Sequence, residues 1–236
     1  VDLIFDSPND FLYRQKGQLK IDNSIIEEFL PRLIHSSIIP EISTLNIEIG
    51  PLQCFSSAYF ESSLDTPMAG GGLHIRAKDQ DFTISKRIYI KASHYEDFSE
   101  ATTAQTSIAY VAAECKTNLD KTMFQESCAT AHDLKVSVPG SKYFLLCEWL
   151  DMTPISTAPT DIEEVIILRK AKRMNSNIRK DFDTSAKRTL HRNVFTDYID
   201  KHPFRVESFI RLIDHIKRLI VNESPAEQNV LEQGYF

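Results

Sequence analysis

The run Ser107-Ile108-Ala109-Tyr110-Val111-Ala112-Ala113-Glu114-Cys115-Lys116 decides how this chain is read. From Ile108 to Ala113 every residue is apolar or small, which predicts a strand buried on both faces. Residues two apart on a strand share a face, so Glu114 and Lys116 leave on one side and Cys115 on the other. Desolvating a carboxylate beside a lysine is expensive, so packing alone seldom places such a pair at a buried strand end. Metal-dependent phosphodiesterases do place one there. A second pattern of this kind, Asp133-Leu134-Lys135, falls in a predicted helix, where residues two apart face different ways.

Outward from that run the order of elements follows. Gly70-Gly71-Gly72 marks a flexible turn, after which Leu73-His74-Ile75-Arg76 and the stretch from Phe82 to Ile90 alternate as strands. Thr117-Asn118 is the expected N-cap of a helix over 119–135, and Tyr143-Phe144-Leu145-Leu146-Cys147 is a second buried strand. Strand, helix and strand at this spacing form a βαβ unit with parallel strands. Val165-Ile166-Ile167-Leu168 follows as a further strand. Upstream, Ser24-Ile25-Ile26-Glu27 is a capping box and Pro31 is expected to bend or end its helix, while Pro51 and Pro67 break the mixed stretch 41–69. Near the C-terminus, Phe209, Leu212, Ile213, Ile216, Leu219 and Ile220 make an amphipathic helical stripe, either core or an interface, with core the favoured reading. The fold class is therefore α/β, a mixed central sheet flanked by helices with helical N- and C-terminal additions. Three regions are expected: a mostly helical accessory segment at 1–60, a catalytic core at 61–170, and a basic segment with C-terminal helices at 171–236.

Composition narrows the class further. A chain of 236 residues with 42% hydrophobic and 25% charged content suits a soluble globular protein. No apolar run reaches the length of a membrane span and no signal peptide is visible, which implies no membrane partner. The chain starts at Val1 without Met, so a short leader or disordered start is expected to be missing from it. Cys54, Cys115, Cys128 and Cys147 have neither CxxC nor zinc-type spacing and read as free thiols of a reducing, cytoplasmic compartment. The net charge is −6, yet residues 169–192 hold nine basic and two acidic side chains, a local +7 on a remainder of −13. One concentrated basic stretch on an acidic body fits localised contact with a nucleic-acid backbone; the plainer alternative is a solvated helix face.

One carboxylate holds a divalent cation poorly, so Glu114 needs a second acid. Asp81, 33 residues upstream at the start of an alternating strand, is the best placed. Asp79 is the fallback and Asp97 a distant third. With the backbone carbonyl of Cys115, such acids offer hard oxygens to Mg²⁺. Lys116 would position water and stabilise charge in the transition state; two unit charges about 4 Å apart at an effective dielectric near 20 interact by roughly 4 kcal/mol, about three decades of rate. There is no GxSxG, P-loop or HExxH pattern, and His132 reads as a packing or hydrogen-bonding residue rather than a ligand.

Together these residues resemble the PD-(D/E)XK nuclease superfamily, with Gln80 standing where that motif usually has a proline before its first Asp. Three longer stretches resemble the BbvCI-type restriction endonucleases: Gly70 through Phe82 and on to Tyr89-Ile90-Lys91-Ala92-Ser93-His94, Ala112 through Thr122, and Cys147 through Pro154. The resemblance covers roughly residues 60–205. It implies a bacterial Type II restriction enzyme, dependent on Mg²⁺ and acting on double-stranded DNA at a short asymmetric site of the CCTNAGC kind. It implies a second, related subunit, each subunit cutting one strand, and a cognate methyltransferase that protects the site in the cell. By matching position, Asp81, Glu114 and Lys116 are the implied catalytic residues, with Asp81, Glu114 and the Cys115 carbonyl as metal ligands.

The basic stretch supplies the expected DNA contacts: Arg169, Lys170, Lys172, Arg173, Asn177, Arg179 and Lys180. Arginine can read guanine, and asparagine adenine, but most of these groups are expected on phosphates. Two rivals stay open: a repair or recombination nuclease of the same fold, and a DNA-binding scaffold subunit that does not cut.

Overall fold

Two long antiparallel strands dominate the computed structural model, which describes residues 2–14, 20–221 and 231–232. They are β2 (Leu73–Ala92) and β3 (Thr102–Leu119), in register from Phe82 opposite Ala113 to Ala92 opposite Thr102. The two alternating stretches expected on either side of Lys78-Asp79-Gln80 are thus one continuous strand. β1 (Glu48–Phe60) pairs antiparallel with β2 along the other edge. β4 (Lys142–Leu150) runs parallel to β3, and β5 (Glu164–Ile167) parallel to β4, giving a mixed five-stranded sheet in the order β1-β2-β3-β4-β5. Between β3 and β4 lies α4 (Lys121–Ser137), which completes the expected βαβ unit. Its cap is Asp120, whose side chain accepts from the Met123 N–H at 2.9 Å, rather than Thr117-Asn118, which still belong to the strand.

Both faces of the sheet are covered, which is why β3 and β4 read as unbroken apolar runs. On one face Phe82, Val111, Ala113, Cys115, Phe144 and Leu146 pack under α3 (Lys20–Leu33) and α8 (Val206–Val221), which contribute Ile26, Leu30, Leu212, Ile213 and Ile216. On the other, Ala109, Ala112, Tyr143, Leu145 and Cys147 pack under Phe124, Ala131 and Leu134 of α4. Glu164 of β5 clamps α8 by accepting from Arg211 Nε at 2.9 Å and meeting His215 Nε2 at 2.6 Å. The C-terminal stripe is therefore core.

Two expectations about the N-terminal region change. The accessory segment at 1–60 is not mostly helical to its end, because β1 is a sheet strand. Its period is hidden by Gly50 and Pro51 at a register shift; a proline cannot donate to a ladder and is tolerated on an edge strand at a bulge. Nor is α3 an accessory, since Leu30 is fully buried in the sheet's core. Pro31 does not end α3, which runs to Leu33 with the proline in its last turn. The shorter helices α1 (Asp2–Phe5) and α2 (Asp10–Arg14) instead meet the C-terminal region of α5 (Ser176–Arg179), α6 (Ser185–Leu190) and α7 (Arg192–Lys201). Phe5 stacks on Phe195 at 4.0 Å and meets Phe182 edge-on.

Removing a buried side chain from α3 tests its place in the core. Leu30→Ala should destabilise the whole protein by about 2–5 kcal/mol in urea unfolding, whereas the exposed Ile25→Ala should change it by less than about 0.5 kcal/mol. A Leu30→Ala protein with an unchanged midpoint would return α3 to the status of an appendage.

Candidate active site

β2 and β3 part company just where the charged residues begin. Their ladder ends at Phe82 opposite Ala113, one residue short of Asp81 and Glu114. Beyond it, the Cys115 N–H donates to Asp81 Oδ2 at 2.9 Å, so a side-chain carboxylate takes the place of a strand carbonyl. Asp81 is thereby held against the main chain of the residue that follows Glu114. Asp79 is exposed and in register with Gln53 of β1, and the Asp97 carboxylate accepts from the N–H and hydroxyl of Ser99 in an exposed loop. Of the three candidate acids, only Asp81 is seen to reach β3.

Glu114 and Lys116 lie on the α4 face of the sheet, as the alternation requires, and Cys115 lies in the opposite core. Glu114 Oε1 accepts from Lys116 Nζ at 2.6 Å. Its Oε2 accepts from Ser127 Oγ of α4 at 2.7 Å and from the Tyr143 hydroxyl of β4 at 2.8 Å. Burial pushes the Glu114 carboxyl up, but these three donors and the Lys116 charge outweigh it and hold the group below the ordinary carboxylate range. Burial likewise pulls Lys116 down, and the Glu114 hydrogen bond with the Glu114 and Asp81 charges more than restores it, so its pKa is raised. Burial and the Glu114 charge drive the Tyr143 phenol well above its usual value, keeping its proton available to donate. Burial, with Asp81 and Glu27 next, does the same to the Cys115 thiol, which rules out thiolate attack.

Ser127 and Tyr143 were not singled out as site residues from sequence. Each carries a signal in retrospect: Ser127 is the one polar residue in the buried α4 stripe Phe124, Ser127, Ala131, Leu134, and Tyr143 is the only residue of Tyr143–Cys147 with a hydroxyl. Which groups they serve depends on the pairing of Ala112 with Tyr143 across β3 and β4.

Two oxygens of hard character, from Asp81 and Glu114, beside a strand backbone suit a small divalent cation that keeps waters and takes substrate phosphate for the rest. Among the described residues no three His, Cys, Asp or Glu side chains converge as a complete cage.

The basic stretch is less uniform than its composition. Arg169 is 6% exposed: Nε donates to Glu148 at 2.7 Å, NH1 donates to the His202 carbonyl at 2.7 Å, and the guanidinium lies 4.1 Å from the Phe204 ring centroid. Burial, the Glu148 pair and the ring stacking tie this cation into the interior, away from the surface where a DNA contact was expected of it. Arg188 is 2% exposed and ties the N-terminus down by donating to the carbonyls of Phe5, Ser7 and Phe182. Lys170 and Lys172 stay at the surface, Lys170 lying 3.7 Å from Glu207. Arg173, Arg179 and Lys180 line cavities beyond the end of β4.

The profile of the Bpu10I restriction endonuclease matches residues 18–236. The chain belongs to the Bpu10I restriction endonuclease family. No curated protein matches it. Among solved structures it is similar to the native BbvCI A2B2 tetramer, with 21% identity over 86% of this chain and 84% of that one and a TM-score of 0.47. Among the described residues no helix is long and apolar enough to cross a membrane.

Two outcomes check this account of the site in a restriction endonuclease family member. Arg169→Ala should cost about 3–5 kcal/mol of stability, because Glu148 is left buried and unpaired, while the salt dependence of DNA binding stays as in the unaltered protein. A flattened salt slope would return Arg169 to the DNA interface. Lys116→Met should raise the Glu114 pKa, since burial then meets less opposition, and carboxyl NMR titration would read the shift. In the unaltered protein the depressed pKa adds stability above the unfolded carboxylate value near about 4.3, lost as pH falls through the folded value.

Proposed function

We propose that this chain is one subunit of a Type II restriction endonuclease that hydrolyses a phosphodiester on one strand of double-stranded DNA, with Asp81, Glu114 and Lys116 as catalytic residues. The observation that carries the proposal is the meeting of Asp81 and the Glu114–Lys116 pair around the backbone of Cys115. Mg²⁺ is the cofactor this donor set suits, held by Asp81, Glu114 and the Cys115 carbonyl. A divalent cation there supplies positive charge against the phosphate and lowers the pKa of water at the site.

The chain's own residues do the rest. Glu114 stays ionised because Ser127, Tyr143 and Lys116 all donate to it. Lys116 keeps its proton and faces the substrate as an ammonium, stabilising charge on the phosphate as the bond to water forms. Lys170, Lys172, Arg173, Asn177, Arg179 and Lys180 supply DNA contacts, mostly to the backbone. The target is a short asymmetric sequence. A symmetric dimer presents one surface twice and reads palindromes, so an asymmetric target calls for a second, related subunit. In a bacterial cytoplasm a cognate methyltransferase would protect the host's own sites.

Plasmid nicking with Mg²⁺, with and without the partner subunit, tests this. Glu114→Gln should abolish cutting of one strand and leave the partner's nick, seen as open circles in place of linear product. Loss of both cuts would mean the subunits do not act independently. A smear in place of discrete bands would point to a structure-directed nuclease, and the absence of any product from the unaltered protein to a scaffold.

A further inference from the structure

Beyond the end of β4, Arg173 and Arg179 stand between two adjoining cavities. One, of about 390 Å³, is bounded by Tyr13, Arg14, Ser176 and Lys180 as well. The other, of about 600 Å³, adds Asp151, Thr153 and Lys172. Positive charge is under-compensated here. Arg173 NH1 lies 3.4 Å from Asp151 Oδ2, long for a charge-assisted hydrogen bond. Asp183 also borders the smaller cavity, but Lys187 Nζ holds its Oδ1 at 2.9 Å. Arg179 Nε is buried and has no hydrogen-bond partner among the described residues. A buried guanidinium N–H without an acceptor is costly, and such groups are almost always satisfied. Burial, with the Arg173 charge next, lowers the Arg179 pKa. An anion in the recess would offset the positive charge that Arg14, Arg173, Arg179 and Lys180 leave over after Asp151 and Asp183.

We propose that this recess is a seat for one DNA backbone phosphate, formed by Arg173 and Arg179 and completed by Tyr13 and Arg14 of α2. The proposal rests on the nuclease reading only in naming DNA as the source of the phosphate. Two planar forks with hydroxyls from Tyr13 and Ser176 at the rim suit an anion with several acceptor oxygens. The recess also lies beyond the C-terminal ends of the two central strands β3 and β4. The Arg173 N–H donates to the Leu150 carbonyl, and Leu150 is in register with Leu119, three residues past Lys116. At about 3.3 Å per residue that is about 10 Å of strand, a few base pairs at about 3.4 Å of rise each. The N-terminal helix earns its place through Arg188 and through Asp10, whose carboxylate accepts from the Ser185 N–H at 2.6 Å. A segment remote in sequence thus joins the basic stretch on one surface.

Binding of the full-length protein to a short fluorescent duplex of arbitrary sequence, with Ca²⁺ in place of Mg²⁺, tests the seat. Arg179→Ala and Arg14→Ala should each weaken binding about five- to tenfold near 0.1 M salt and reduce the slope against log salt by about one. Lys217→Ala, which removes the same charge from the exposed side of α8, should change neither. Arg179→Lys should keep the slope while losing part of the affinity; with Arg14→Ala it carries the test should Arg179→Ala not fold. If the Arg179 and Arg14 variants match Lys217→Ala, the seat is overturned. It is equally overturned if inorganic phosphate fills the recess, followed by Arg side-chain NMR shifts, without displacing duplex. A wild type that shows the expected binding pattern but cuts no DNA sinks the nuclease reading and leaves the seat standing. Normal nicking with an unchanged slope in Arg179→Ala does the reverse.

Discussion

Keeping a carboxylate ionised inside a sheet is the constraint around which this structure is arranged. Glu114 is largely withdrawn from water, and burial alone would favour its neutral form. Three donors reverse that preference, and each comes from a different element: Lys116 from the same strand, Tyr143 from β4, and Ser127 from α4. The βαβ unit is what brings all three together. A parallel β4 places Tyr143 two residues along the ladder from Glu114, and the connecting helix returns over the same face with a serine in its buried stripe.

The parting of β2 from β3 has a comparable role. Antiparallel strands consume their main-chain donors and acceptors in pairs. Once the pairing stops at Phe82, the Cys115 N–H needs another acceptor, and Asp81 provides it. The Asp81 carboxylate is thus positioned by the accounting of backbone hydrogen bonds, whereas Asp79, two residues earlier on β2, is in register with Gln53 of β1.

Cations in the C-terminal third fall into two groups. Arg169 and Arg188 are interior fasteners. Arg169 joins β4's Glu148 to the turn before α8, and Arg188 joins the N-terminal helices to the loop before α6. Arginine suits that work because its five donors can be met by several carbonyls at once without the group losing its proton. Arg173 and Arg179 face cavities instead. An acidic body carrying such a basic recess concentrates attraction for a polyanion beyond the C-terminal ends of β3 and β4, three residues past Lys116.

Much of this was legible in the residue order. Periodicity alone indicates the βαβ unit, because runs as apolar as Ala109–Ala113 and Tyr143–Cys147 have no stable place except between two covered faces. The two-residue period of a strand puts Glu114 beside Lys116 and sends Cys115 to the core. Residue order did not show that Glu48–Phe60 is a strand, since Gly50-Pro51 breaks its alternation and only the partner β2 repairs it. Nor did it separate Arg169 and Arg188 from their solvent-facing neighbours, or indicate Ser127, Tyr143 and Arg14. Local pattern reports how a residue relates to its own strand or helix. Which distant group a side chain meets, and whether water remains between them, depends on how the elements pack, and that was decided by the tertiary structure alone.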